Sequence, residues 1–145
     1  MPTNIRRFLH DSLVTGTETV GTAFNTSAVH THNMNSGAVP FLANRSFRGI
    51  VCGIHVRLTN IGAPSATKVT IRLCADADGD YTLVPDTEAD LVAGVTTSTS
   101  QCAAFSVDLP LFQLLDNTGN LYLFVKVDNA TNTPVFAQSS ISWKE

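Results

Sequence analysis

The run "RGIVCGIHVRLTN" alternates apolar and polar residues over ten positions. Ile50, Cys52, Ile54, Val56 and Leu58 fall on one face; Gly53, His55, Arg57 and Thr59 fall on the other, with Val51. A period of two is the signature of a strand with one buried face. The same pattern returns in "TKVTIRLCA", where Val69, Ile71 and Leu73 point in and Lys68, Thr70 and Arg72 point out. In "QCAAFSVDL" the inward set is Ala103, Phe105, Val107 and Leu109. In "NLYLFVKVD" it is Leu121, Leu123, Val125 and Val127. The second face of that last run carries Tyr122 and Phe124, so the strand is read as covered on both sides. "TPVFAQSSISW" closes the chain as a further strand.

The turn-rich connector "NIGAPSA" between the first two runs reads as the link of a hairpin, pairing Ile50–Leu58 with Val69–Leu73. Before residue 50 the pattern is looser. "NIRRFLHDSLV", "ETVGTAFNTSAVHTHN" and "AVPFLAN" have strand composition broken by Gly and Asn, and two to four strands are expected there. "DLPLFQLLDNTGN" is the one helix candidate, limited to one or two turns by Pro110 and the "DNTGN" stop. Eight or more short strands with almost no helix predict an all-β antiparallel β-sandwich, jelly-roll-like, with at most one short helix. An immunoglobulin-like sandwich is the alternative; its Cys–Trp–Cys order is absent, since Trp143 follows all three cysteines. All 145 residues are read as one domain, with residues 1–12 either an extended arm or the first strand.

Composition narrows the function classes. The chain is 43% hydrophobic but only 14% charged, against a usual charged share of about 25%. Its polar surface is built instead from Thr, Ser and Asn, which suits strands, turns and a surface covered by neighbours. Net charge is −3, and basic residues cluster only at Arg6–Arg7 and around Arg45 and Arg48. A nucleic-acid binder needs a dense basic face, so no nucleic-acid partner is expected. Cys52, Cys74 and Cys102 form no C-x-x-C and are read as reduced, Cys52 in the core. "MPTNIRRFLHDS" lacks the apolar run of a signal peptide and no stretch is long enough to span a membrane, so synthesis in the cytosol without a membrane partner is expected. The N-x-[ST] matches at Asn25, Asn44 and Asn129 carry little meaning in that setting.

Two motifs invite metal chemistry. In "DADGDYTL", Asp76, Asp78 and Asp80 keep the spacing of a calcium loop. The helix–loop–helix form fails, because the glycine stands at position 4, position 12 is Thr87 and the flanks are strands. Three alternate carboxylates can still converge on calcium in a curled loop, helped by Asp86, Glu88 and Asp90. Asp-Gly is also a turn signal, and the turn with solvated carboxylates is the preferred reading. No other cofactor is expected. In "AVHTHNMN", His30 and His32 would face the same way on a strand. Two imidazoles are too few for a closed zinc site, whereas three copies around a threefold axis would supply six nitrogens. An exposed pair in a loop is the preferred reading.

Nothing points to catalysis. His10, Asp11, Ser12 and His55 form no nucleophile elbow, and there is no G-x-G-x-x-G or P-loop. The carboxylates crowd into one stretch, Asp76 to Asp90, which reads as a solvated loop rather than a glycosidase pair. The protein is not expected to be an enzyme. Tyr81, Tyr122 and Trp143 are the only aromatics suited to a sugar platform, a poor supply.

The charge-poor, Thr-, Ser- and Asn-rich strand pattern, with an irregular start and no signal peptide, resembles the small virion proteins of tailed bacteriophages. These are capsid decoration (cement) proteins and tail or fibre modules. An H-x-H pair on a trimer axis likewise resembles the iron sites of viral tail fibres and spikes. The resemblance implies a structural protein of the virion, made in the host cytoplasm and assembling as a homo-oligomer, commonly a trimer, on the major capsid protein or another virion protein. Arg6, Arg7, Phe8 and Leu9 would then be the partner-binding residues of the arm, pairing charges and anchoring apolar groups on the shell. The alternative is a carbohydrate- or receptor-binding module of a phage tail, with calcium at the aspartate loop.

Overall fold

A computed structural model describes residues 7–12, 18–33, 50–61, 66–91, 100–110 and 120–144; for Arg7–Ser12, Asn33, Ile50, Pro110, Trp143 and Lys144 it describes the backbone. Eight strands occur among these residues: β1 (Arg7–Ser12), β2 (His30–Asn33), β3 (Ile50–Thr59), β4 (Lys68–Cys74), β5 (Thr82–Asp90), β6 (Ser100–Pro110), β7 (Asn120–Val127) and β8 (Val135–Lys144). They form two four-stranded sheets, ordered β1-β8-β3-β6 and β2-β7-β4-β5. Every ladder is antiparallel.

The order follows one rule. β1 pairs β8, β2 pairs β7, β3 pairs β6 and β4 pairs β5, and these nested pairs alternate between the sheets. A long hairpin rolled up on itself gives this pattern, which is the jelly roll. The expected all-β sandwich is therefore the fold, and no helix occurs among the described residues. Of the helix candidate, residues 108–120, Asp108–Pro110 and Asn120 belong to β6 and β7, and residues 111–119 lie outside the described ones.

The core lies between the sheets. Ile54, Val56, Leu58, Ala103, Phe105, Leu109, Phe136 and Ile141 enter it from the first sheet. Val69, Ile71, Leu73, Leu121, Leu123, Val125 and Val127 enter from the second. The alternation marks the inward sets of β4, β6 and β7, with Val107 only partly buried; on β8, Phe136 and Ile141 are five apart, and the register with β3 shifts between Arg57 and Leu58. β3 departs from it as well. Val51 and Ile54 are both buried although three apart, while Cys52 is only half-buried. The register of β3 shifts between Val51 and Gly53 against both neighbours. A bulge there slips the alternation by one residue and turns Val51, not Cys52, inward. The buried cysteine is Cys74, whose thiol burial pushes up in pKa.

Two further expectations are corrected. β3 and β4 are not a hairpin; they lie in different sheets. Two strands with one apolar face each can bury it by facing across the roughly 10 Å gap as well as by lying side by side. Ile61, just after β3, and Ala66, just before β4, are both buried. Asn60 takes a φ of 60° there, and its Nδ2 donates to the carbonyls of Asn132 and Thr133. The acidic stretch up to Asp90 is not all loop: Thr82–Asp90 is β5, and its Pro85 is tolerated because β5 is an edge strand. Arg7–Ser12 is a strand, in register with β8 from Lys144 to Ser139, and residues 1–6 lie outside the described residues.

Candidate functional site

Residues 75–81 turn the chain from β4 into β5, and the Asp76, Asp78 and Asp80 trio sits there. The Asp76 carboxylate accepts the backbone N–H of Asp80 at 3.1 Å and that of Tyr81 at 2.8 Å. Asp78 and Asp80 are exposed. Gly79 has a φ of +81°, and the Ala75 N–H donates to the Tyr81 carbonyl at 2.9 Å. The carboxylate at the head of the loop therefore organises the turn itself. No group of three or more His, Cys, Asp or Glu with metal-holding geometry occurs among the described residues. The loop also roofs the outer side of β7, where Phe124 is buried beneath Gly79. That roof is why β7 can carry Phe124 on its outer face.

The outer face of the second sheet carries an ordered set of charges. Lys68 on β4 pairs with Glu88 on β5 at 3.0 Å. Arg72 meets Asp86 through two hydrogen bonds of 2.7 and 3.0 Å. That guanidinium holds the Asp86 carboxyl below the usual carboxylate range. Phe24, from the segment leading into β2, lies 4.4 Å from the Arg72 guanidinium and 4.9 Å from the Lys126 ammonium, measured to its ring centroid. Asp128 accepts the backbone N–H groups of Thr67 and Lys68 and the Thr67 hydroxyl. Burial pushes the Asp128 carboxyl up, but these hydrogen bonds outweigh it and hold the group low. Lys68, Asp86, Glu88, Lys126 and Asp128, with Thr22 and Thr70, border an open groove of about 430 Å³. Asp86 and Glu88, expected as extra calcium oxygens, are here committed to Arg72 and Lys68.

The outer face of the first sheet is different in kind. Gly53, Ala104, Ser106 and Ser142 line a shallow groove of about 320 Å³ beside His55. Arg57 and the exposed Cys102 stand further along the same face.

His30 and His32 do share one face of a strand, but it is the interior one. His32 is 0% exposed and His30 8%, so the exposed-loop reading is corrected. β2 lies against β7, and the strand alternation turns both rings into the sandwich. His32 Nε2 lies 2.9 Å from Ser139 Oγ on β8. The sequence offered no signal for Ser139, because one serine at an inward position is indistinguishable from a surface serine. Of the partner-binding candidates, Arg7, Phe8 and Leu9 occupy β1 opposite Lys144, Trp143 and Ser142, and Arg6 lies outside the described residues. Tyr81 is 61% exposed, the one large aromatic that is open to solvent among the described side chains.

No protein-family model matches the chain, and no curated protein matches it. Among solved structures it is similar to the coat protein of Tobacco streak virus, with 9% identity, 100% of this chain and 88% of that one covered, and a TM-score of 0.41. It is similar to the VP2 subviral particle of infectious bursal disease virus, with 13% identity, 97% and 32% coverage, and a TM-score of 0.48. It is also similar to CBM35 from Cellvibrio japonicus Abf62, with 14% identity, 94% and 92% coverage, and a TM-score of 0.42. Likenesses this distant leave the question of function to the chain's own residues.

Proposed function

We propose that the protein is a non-enzymatic structural component of a virion, a decoration (cement) protein of the tailed-phage kind that assembles as a homotrimer and reinforces a shell. The observation that carries this reading is the rolled-hairpin topology, with its nested strand pairs alternating between two four-stranded sheets. Jelly rolls recur in viral capsid and lectin domains. Two features favour the former. The chain is charge-poor, at 14% charged residues, as suits a surface covered by neighbours. A groove on the outer face of its first sheet includes Gly53, Ala104, Ser106 and Ser142, and such small side chains lose little rotamer freedom on contact. The partners in this reading are further copies of the chain and the major capsid protein, with Arg7, Phe8 and Leu9 contributing at the β1 edge and Arg6 beside them in sequence.

Light scattering of the purified protein, followed by electron microscopy of shells mixed with it, tests the reading. A trimer that decorates shells supports it. A monomer at high concentration with no affinity for any virion shell overturns it.

A second reading is a carbohydrate-binding tail module. The groove on the second sheet favours it, because paired carboxylates and ammonium groups are good partners for sugar hydroxyls. Binding on a glycan array that is lost on Glu88→Ala would establish it instead.

A further inference from the structure

Four strands stand at sheet edges: β1 and β6 in the first sheet, β2 and β5 in the second. An edge offers backbone groups for pairing with another chain, and natural proteins guard it with charges, proline or shortness. β2 is only four residues long. β5 carries Pro85, Asp86, Glu88 and Asp90. β1 carries Arg7, His10 and Asp11. β6 lacks such guards: it runs eleven residues, Ser100–Pro110, with no charge before Asp108 and its proline at the last position. Among the described residues, β3 is its one ladder partner. That ladder is regular from Ser100 to Ser106 and shifts register only beyond it.

β6 turns a row of small side chains outward. Cys102, Ala104, Ser106 and Asp108 are exposed, while Ala103, Phe105 and Leu109 are buried. Two opposite charges stand near the ends of the row. Arg57 on β3 is exposed, lies opposite Cys102 in register, and donates from Nε to Ser100 Oγ at 2.9 Å. Asp108 is exposed at the other end. Neither has an ion-pair partner among the described residues. They do not reach each other within one chain, because Ser100 and Asp108 are separated by roughly 27 Å of strand at 3.4 Å per residue. A second copy brings them together. When two β6 strands pair antiparallel about a twofold axis at Ala104, Cys102 faces the second copy's Ser106, and Ser100 faces the second copy's Asp108. Each Arg57 guanidinium, resting on Ser100, then stands about one strand spacing, roughly 4.8 Å, from the other copy's carboxylate. No like charges meet. Centring the axis on Cys102 or Ser106 instead moves the two charges out of register.

We propose that β6 is a self-pairing edge: two copies of this chain join their first sheets antiparallel about a twofold axis at Ala104, and reciprocal Arg57–Asp108 ion pairs fix the register. Backbone hydrogen bonds supply the affinity, and the side-chain row selects the partner. The contact is isologous, so it closes on itself after two copies and leaves the β6 edge covered in both. It stands apart from the virion reading. It doubles whatever particle the chain otherwise forms, monomer to dimer or trimer to hexamer.

Sedimentation equilibrium of the full chain, from about 1 μM to about 1 mM, tests the pairing over the matching range of dissociation constants. The expected result is a concentration-dependent doubling of mass. Arg57→Glu and Asp108→Arg should each weaken the doubling by at least about tenfold, since the twofold turns each reversal into two like-charge contacts. The double variant Arg57→Glu/Asp108→Arg should recover it, because its exchanged charges attract again. Ala104→Glu should abolish it by setting two carboxylates against each other at the axis. No doubling in the natural protein across the whole range overturns the proposal. So does doubling that Ala104→Glu leaves undiminished, or a double variant that pairs no better than the single ones. If the charge-reversed variants do not fold, a mixture of Ala104→Glu and Ala104→Lys proteins decides, Ala104 being exposed. Each alone should stay undoubled and the mixture should pair; a mixture that does not pair overturns the twofold.

Discussion

Gly79 lies directly over the face of Phe124: a Cβ placed on it would stand 3.1 Å from the ring's Cζ. The same residue has a φ of +81°, a region L side chains rarely adopt. Gly79→Ala therefore meets both backbone strain and a crowded ring. It should cost about 1–3 kcal/mol, a drop of several degrees in Tm by calorimetry. An unchanged Tm would show that the loop does not rest on Phe124.

Ile54 is wholly buried at the centre of β3. Ile54→Asp places an unpaired carboxylate between the sheets, at a cost of several kcal/mol, comparable to the stability of a whole domain. The variant should be insoluble or lack a cooperative melting transition. A soluble variant with a sharp transition would mean that this face of β3 is not the core face.

Asp76 serves the turn through its bonds to the Asp80 and Tyr81 amides, while Asp78 is exposed. Chelator should accordingly leave Tm unchanged. Asp76→Ala should lower it by the equivalent of roughly 1–2 kcal/mol, and Asp78→Ala should be neutral. A calcium-dependent rise of several degrees that Asp78→Ala abolishes would establish a cation site instead.

The Asp128 carboxyl is held low by hydrogen bonds from Thr67 and Lys68 despite the opposing effect of burial. Its folded pKa lies below its unfolded one. The stability it supplies is present above about pH 4 and is lost as pH falls through the folded value. Asp128→Asn should cost about 1 kcal/mol at neutral pH, since the group is exposed, and should flatten the stability profile below pH 4. Urea titrations from pH 3 to pH 7 measure the profile. An identical low-pH slope in the variant would count against the assignment.

Deleting residues 1–12 removes β1 and leaves one side of β8 without its ladder. The truncated chain should melt at least several degrees lower. An unchanged melting temperature would make β1 dispensable to the fold and return residues 1–12 to service as an arm for partners.

The strands with one apolar face were readable because alternation survives any arrangement of neighbours. Val69, Ile71 and Leu73, or Leu121, Leu123 and Val125, are inward whichever strand lies beside them. Which sheet a strand joins is another matter. The pattern of β3 and β4 is the same for a hairpin as for two strands facing each other across a core. β5 was hidden because Asp86 and Glu88 look solvated until Arg72 and Lys68 are set beside them. The slip at Cys52 and the burial of His30 and His32 were equally out of view. A bulge leaves the composition of a strand untouched, and a histidine is at home on a surface or in a core that offers it an acceptor or donor. For the candidate site, the turn at Asp78–Gly79 was legible, whereas the roles of Asp128 and Ser139 depended on residues far away in the chain.

The nesting of the strand pairs also sets an order of events during folding. β4 and β5 are joined by residues 75–81 alone, while β1 must wait for β8. Closing a short loop costs less entropy than closing a long one, so pairing is expected to spread outward from the β4–β5 turn. A ribosome-bound chain would hold that inner hairpin early and carry β1 unpaired until residues up to Lys144 emerge. Substitutions in β4 and β5 should then slow refolding, and those in β1 should chiefly hasten unfolding; the reverse distribution in stopped-flow kinetics would mean that the roll closes from its ends.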